Sequence, residues 1–270
     1  MKKLAIVIST FLITHAAHAF TIDTVEIASK HTLETHKATV ILPNSYSQNE
    51  DYPVVYVLHG WSGDYKVWNE NTSIAKQADI HDVIIVLPEG NYDKWYIDSP
   101  VKKQSNYQTY IGKDVVAYID KNFRTKAEKN QRAITGLSMG GYGAFNIALN
   151  NLDTFGNIGS ISGGFEPKDF RYTWGLEEVF GDYDKHPENW DNRAIKNIAH
   201  KLIFKDINIT IDCGIDDFFI SSNRELHDKL QQLELDHDYT ERPGGHTWVY
   251  WDNAIQYQML FFKNKFNTQK

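Results

Sequence analysis

"AITGLSMGGYGAFNIALN", residues 133–150, decides how this chain folds. An apolar run ends at Gly136, a serine stands between two glycines, and a segment of helical character follows. Gly136-Leu137-Ser138-Met139-Gly140 has the spacing of a nucleophile elbow, where a strand turns sharply into a helix and lifts a serine hydroxyl above the sheet. A side chain at 136 or 140 would collide across so tight a turn, and the serine must take up an unfavourable backbone conformation. The pentapeptide alone is weak, since ordinary Gly and Ser usage gives it by chance in roughly one such chain in ten. Context strengthens it, because 132–136 reads as a strand and 139–149 as a helix.

Working outward, "PVVYVLHG" (53–60) and "VIIVLP" (83–88) are short β-branched runs closed by Gly or Pro, as expected of strands covered on both faces. Residues 22–42 alternate apolar and polar positions in two stretches, which predicts antiparallel strands at a sheet edge. In 107–123, Tyr107, Tyr110, Ile111, Val115, Tyr118 and Ile119 recur at spacings of three and four and predict a helix. Further strands are expected at 158–162, 207–213 and 237–242, and helices at 221–234 and 249–265. This order predicts an α/β fold: a mostly parallel central sheet with helices on both faces and an antiparallel N-terminal edge. Residues 164–200 are too long and too aromatic for a simple connection and are read as an excursion over the C-terminal edge of the sheet.

A serine hydroxyl needs a base to take its proton and a third group to orient that base. "NITIDCGIDDF" runs from an apolar strand into an acidic loop, offering Asp216 and Asp217, while Asp212 within the strand suits a structural role. "RPGGHTWVYW" places His246 in a glycine-rich loop before the last helix. Loops at the C-terminal ends of strands are where such sheets assemble their sites. The oxyanion donors expected are two backbone amides, that of Met139 after the nucleophile and that of Trp61 after the first central strand. His59 ends that strand and is read as structural. The other histidines lack metal-ligand spacing, so neither a metal nor a cofactor is expected.

Lys2 and Lys3, the apolar run Leu4 to Ile13 and Ala17-His18-Ala19 form a secretory signal pattern over 1–19, too short to span a bilayer. The mature chain is expected to begin at Phe20 as one domain, 20–270, exported to a periplasm or secreted. A net charge of -7 with scattered Lys and Arg leaves no footprint for nucleic acid or an anionic membrane. The single Cys213 excludes an intramolecular disulfide. A small neutral or mildly charged substrate fits better, and Trp61, Trp95, Tyr96 and Trp174 fall in loops expected near the site. They are candidates to stack on sugar or aryl faces, with core packing as the competing reading.

Together, "VLHGWSGDYKVW" (57–68), "WYIDSP" (95–100), "GLSMGGYGA" (136–144), "CGIDDFFISSNRELHDKL" (213–230) and "PGGHTWVYW" (243–251) resemble the putative-esterase family of α/β-hydrolases. That family includes feruloyl and acetyl-xylan esterases, tributyrin-type esterases, S-formylglutathione hydrolases and mycolyltransferases. The resemblance implies an α/β-hydrolase fold with Ser138 as nucleophile, His246 as base and Asp217, which directly precedes the aromatic pair, as orienting acid. It also implies a serine carboxylesterase, with an acyltransferase or glutathione thioesterase as alternatives; the export pattern and the aromatic loops, not the resemblance, favour short-chain or aryl esters of a small molecule or carbohydrate as substrate. A non-catalytic ligand-binding protein on the same scaffold is the remote one.

Overall fold

The computed structural model describes residues 20–268, so the leader expected at 1–19 lies outside the described residues. Eight strands form one sheet: β1 (Thr21–Ala28), β2 (Thr35–Leu42), β3 (Val54–Leu58), β4 (Ile84–Pro88), β5 (Arg132–Gly136), β6 (Asn157–Ile161), β7 (Asn208–Gly214) and β8 (Asp238–Arg242). Their spatial order is β1-β2-β4-β3-β5-β6-β7-β8. β1 pairs antiparallel with β2, and β2 with β4, whereas every pair from β4 through β8 is parallel. The expected antiparallel edge and parallel centre are both present.

β3, β4, β5 and β6 are buried at every residue, which explains why their sequences are continuous apolar runs rather than alternations. Alternation survives in which face each residue feeds. Val54, Tyr56 and Leu58 of β3 join one core layer, and Val55 and Val57 join the other. The first layer is closed by the helices α2 (Val116–Asn122), α3 (Met139–Leu149) and α4 (Ile220–Gln232), and the second by α1 (Ile74–His81) and α5 (Trp248–Thr268). Burying large apolar side chains on both faces, such as Tyr56, Phe145 and Phe155 on one and Ile255 and Phe262 on the other, stabilises each by roughly 1.5–3 kcal/mol. α2 continues a turn at Tyr107–Thr109 and a π-helical segment at Tyr110–Val115, so the helix expected over 107–123 carries a widened turn that periodicity does not register. No helix among the described residues is long and apolar enough to cross a membrane.

The connection from β3 returns to β4 on one side, and the next strand, β5, lies on the other side of β3. The C-terminal end of β3 is therefore a topological switch point, where adjacent loops diverge and leave a crevice. The 164–200 excursion consists of short helices, among them Leu176–Phe180, Pro187–Asp191 and Ile195–Ile198. Trp190 and Phe180 stack in its interior with centroids 4.7 Å apart. It is tied down by a charged clamp: Lys196 Nζ lies 2.6 Å from Glu166 after β6 and 2.6 Å from Glu225 on α4. The Glu166 side chain is only 3% exposed, so its charge depends on Lys196 and on the more distant Lys168, 3.7 Å away. Lys196→Met is expected to lower stability by about 2 kcal/mol in urea unfolding, discounted from a fully buried pair because Lys196 is partly exposed. Adding Glu166→Met should recover part of the loss; a double variant less stable than the sum of the singles contradicts the clamp.

Candidate active site

The turn after β5 has the geometry that its glycines foreshadow. Ser138 sits at φ 55°, ψ −119°, a conformation that costs a non-glycine residue about 1–3 kcal/mol. Its N–H donates to Ile161 O at 2.9 Å, and Gly140 N–H donates to Leu137 O at 2.7 Å, so neighbouring backbone holds the turn. A Cβ at Gly140 would lie 2.4 Å from Leu58 O and 2.6 Å from His59 O, and one at Gly136 would lie 2.6 Å from Leu58 O. Only glycine lets the start of α3 press this closely on the end of β3.

Two loops from distant sequence close on the serine. His246 Nε2 is 3.0 Å from Ser138 Oγ, and His246 Nδ1 is 2.8 Å from Asp217 Oδ2. The other Asp217 oxygen accepts from Phe219 N–H at 2.8 Å, and its side chain is fully buried. With both oxygens engaged, the carboxylate has one orientation to offer the imidazole. Asp216 is exposed, and the imidazole bonds Asp217, which separates the two adjacent acids. The loops share a staple: Asp212 on β7 accepts from Tyr250 at 2.5 Å and pairs with Arg242, so residues flanking His246 are tied to the strand that leads to Asp217. Burial pushes the Asp212 carboxyl above the usual carboxylate range, against the hydrogen bond from Tyr250 and the Arg242 charge.

The Trp61 loop is held by His59. Gly90 N–H donates to His59 Nε2 at 2.8 Å, so that nitrogen is an acceptor and the proton resides on Nδ1, which donates to Gly60 O at 2.8 Å. His59 is thus a neutral, buried bracket between the loop after β3 and the end of β4, as its structural reading anticipates. Beside it, Glu89 accepts from the Asn91 N–H at 2.8 Å. In this loop Ser62 N–H bonds Tyr92 O and Gly63 N–H bonds Gly60 O, while the N–H groups of Trp61 and Met139 donate no hydrogen bond among the described residues. Met139 opens α3, whose first amides have no intrahelical partner and whose dipole favours negative charge.

Ser138 and His246 open onto a cleft of about 300 Å³. Its walls include Trp61, Trp95, Trp174, Phe218, Trp248 and Trp251, and His246 is the one titratable side chain among its lining residues. Trp61 is an exposed rim residue, Trp174 is half-buried, and Trp95 is almost wholly buried behind it with its indole N–H on Trp174 O at 3.1 Å. Tyr96 is a correction. Its ring is fully buried beneath the cleft, filling the spaces left by Gly90 and Gly143, where added Cβ atoms would lie 2.2 and 2.4 Å from it. Its hydroxyl donates to His59 O at 3.1 Å, so it supports the Trp61 loop from below instead of facing substrate. Composition could not separate two adjacent aromatics that point apart. Phe218, Trp248 and Trp251 were missed as cleft residues; the signals for them were the alternation after Asp217, which turns Phe218 away from it, and the three-residue spacing of the two tryptophans on α5.

The sequence matches the family described as "Putative esterase" over residues 29–262. The chain belongs to the putative-esterase family. This family member is 28% identical over 221 residues to an acetyl esterase of Caldicellulosiruptor saccharolyticus, a match covering 77% of this chain and 82% of the relative. It is 29% identical over 190 residues to an endo-1,4-beta-xylanase/feruloyl esterase of Xylanibacter ruminicola, covering 65% of this chain and 26% of that one. A substrate-bound, fluorophosphonate-binding serine hydrolase of Staphylococcus aureus superposes with a TM-score of 0.82 at 23% identity, covering 92% of this chain and 100% of that one. This agrees with the α/β-hydrolase fold built up above.

The geometry makes unequal demands on the two acids of the 216–217 pair. Asp217→Asn is expected to lower kcat/KM for an activated ester by about 10³–10⁴-fold, because an amide cannot hold the same imidazole tautomer. Asp216→Asn should cost less than about threefold, near the level of ordinary exposed substitutions. A larger loss from Asp216→Asn contradicts the assignment.

Proposed function

We propose that this putative-esterase family protein is an exported serine carboxylesterase that hydrolyses short-chain or aryl esters, including esters borne on carbohydrate. The observation that carries the reading is the continuous chain from Ser138 Oγ through His246 to buried Asp217, at 3.0 and 2.8 Å. In this reading Ser138 Oγ bonds to the ester carbonyl carbon while its proton passes to His246 Nε2. The carbonyl oxygen becomes an oxyanion held by the N–H groups of Trp61 and Met139, and Asp217 stabilises the imidazolium formed. The carbon–oxygen bond to the alcohol then breaks, and the alcohol oxygen takes the proton from Nε2. Water, losing a proton to His246, attacks the acyl-enzyme; the acid departs and Ser138 regains its proton. No cofactor or metal takes part in this scheme.

The substrate class is supported by three considerations. The cleft walls are largely aromatic and carry no Asp, Glu, Lys or Arg among the described residues, which suits apolar ring faces and offers no partner to a charged head group. The names acetyl esterase and feruloyl esterase borne by the relatives point the same way. Export is proposed from the pattern at Lys2, Lys3 and Leu4 to Ile13, and it disfavours glutathione thioesters as substrates.

The test is a panel of kcat/KM values for acetyl, butyryl and feruloyl esters against a long-chain acyl ester and S-formylglutathione, with Ser138→Ala as control. The first three are expected to be preferred, and the Ala variant should lose about 10⁴-fold or more. Preference for either of the last two by about tenfold, about 1.4 kcal/mol of transition-state discrimination, overturns the substrate class. Retained activity in Ser138→Ala overturns the mechanism.

A further inference from the structure

Two aromatic clusters meet at the imidazole of His246. One comes from α5 and the stretch before α1: Trp251 approaches the imidazole edge-on at 4.8 Å, and Trp248 bridges Trp251 and Trp68 at 5.0 and 5.7 Å. The other comes from the acid loop and the excursion. Phe218 lies 4.2 Å from the imidazole, and Trp174 stacks on Phe218 at 5.8 Å with only 25° between the planes. The two clusters differ in access. Trp251 is 7% exposed, whereas Phe218 is 52% exposed and presents its ring to the cleft.

Trp174 is fixed in place at a cost. It sits at φ 52° and its partner Trp95 at φ 50°, both in the region that bulky side chains avoid. The pair is clasped by the bond from Trp95 Nε1–H to Trp174 O, and Phe170 and Phe219 back the Trp174 ring at 5.3 and 5.6 Å. The Trp174 ring is thus held in one orientation on the cleft wall.

The chemistry assigns the two clusters different halves of an ester. Whatever alcohol leaves must bring its oxygen within hydrogen-bond reach of His246 Nε2, because that nitrogen supplies its proton. It must also depart to solvent while the acyl group stays on the serine. The open wall beside the imidazole is Phe218 with Trp174 behind it. Resting on the serine-esterase reading above, the geometry points to the stacked Phe218–Trp174 pair as the subsite for the leaving alcohol, selecting alcohols that carry a neutral ring with an apolar face. A phenol and a pyranose share that chemistry: each offers a face to stack, and neither needs a countercharge that the cleft lacks.

The experiment compares ratios of kcat/KM at constant acyl group: phenyl acetate to ethyl acetate, and an acetylated methyl xyloside to ethyl acetate, in wild type, Phe218→Ala, Trp174→Ala and Phe218→Tyr. Each ratio is taken within one variant, so partial misfolding cancels, and comparing the ratios between variants and wild type cancels intrinsic leaving-group ability. At least one ratio is expected to fall about tenfold in both Ala variants, the loss of one aromatic stacking contact, with Phe218→Tyr restoring it. A fall in the phenyl ratio alone assigns the subsite to aryl alcohols, a fall in the xyloside ratio alone to sugars. The subsite is overturned if neither ratio moves, or if the ratio of phenyl butyrate to phenyl acetate moves instead, which would make the platform an acyl subsite. Failure of wild-type Ser138 to react with a serine-directed phosphonate is a different result, and it overturns the esterase reading along with the inference.

Discussion

The contact between the start of α3 and the last carbonyls of β3 is the constraint on which the rest depends. Leu58 O receives the N–H of Leu137 at 3.3 Å and the indole N–H of Trp68 at 2.9 Å, and it faces the bare Cα positions of Gly136 and Gly140. Because the helix begins so close to the neighbouring strand, the residue between them is forced to positive φ and its hydroxyl is left over the sheet edge. The same approach sets the first helical amide, that of Met139, beside the loop that carries the Trp61 amide. The placement of the Ser138 hydroxyl and of two N–H groups without a partner among the described residues thus follows from one packing arrangement, and the strain at Ser138 is offset by the buried sheet beneath it.

The other parts attach to this point through the sheet order. β3 lies between β4 and β5, so loops leaving its end and theirs diverge around a crevice, and β7 and β8 deliver Asp217 and His246 to it from the far side of β6. Polar brackets fix these loops: His59 joins the end of β3 to the end of β4, and Asp212 joins β7 to both flanks of the His246 loop. Each bracket is a buried polar group with its partners in place, which is the condition under which such groups rigidify a fold. Tyr96 belongs to the same supporting layer, its ring occupying room that two glycines leave free.

What the sequence disclosed follows from what is local. Strands β3 to β6 were readable because burial on both faces requires apolar residues at every position, and the elbow because close backbone approach requires glycine. Ser138, His246 and Asp217 were each found on a loop after a strand, although only the three-dimensional structure brings their atoms within hydrogen-bond distance. The excursion was legible as an interruption and no further, since its short helices depend on packing such as Trp190 on Phe180 and on the Lys196 clamp, not on periodicity. Tyr96 and Phe218 show the limit most clearly. One looked like a cleft residue and is core, the other was passed over and is a wall, because the direction of a side chain at a loop position is set by backbone torsions, here positive φ at Trp95 and Tyr96, that the residue types do not announce.

The central claim is that the elbow presents Ser138 as a covalent nucleophile to an ester carbonyl. The most direct measurement is rapid-quench mass spectrometry of the wild-type protein during turnover of an activated acetyl ester, with peptide mapping of the quenched chain. An acetyl group is expected on the peptide containing Ser138, formed in an initial burst and lost at the steady-state rate. Turnover with no covalent intermediate, or with the acetyl group stably placed on another residue, would contradict it.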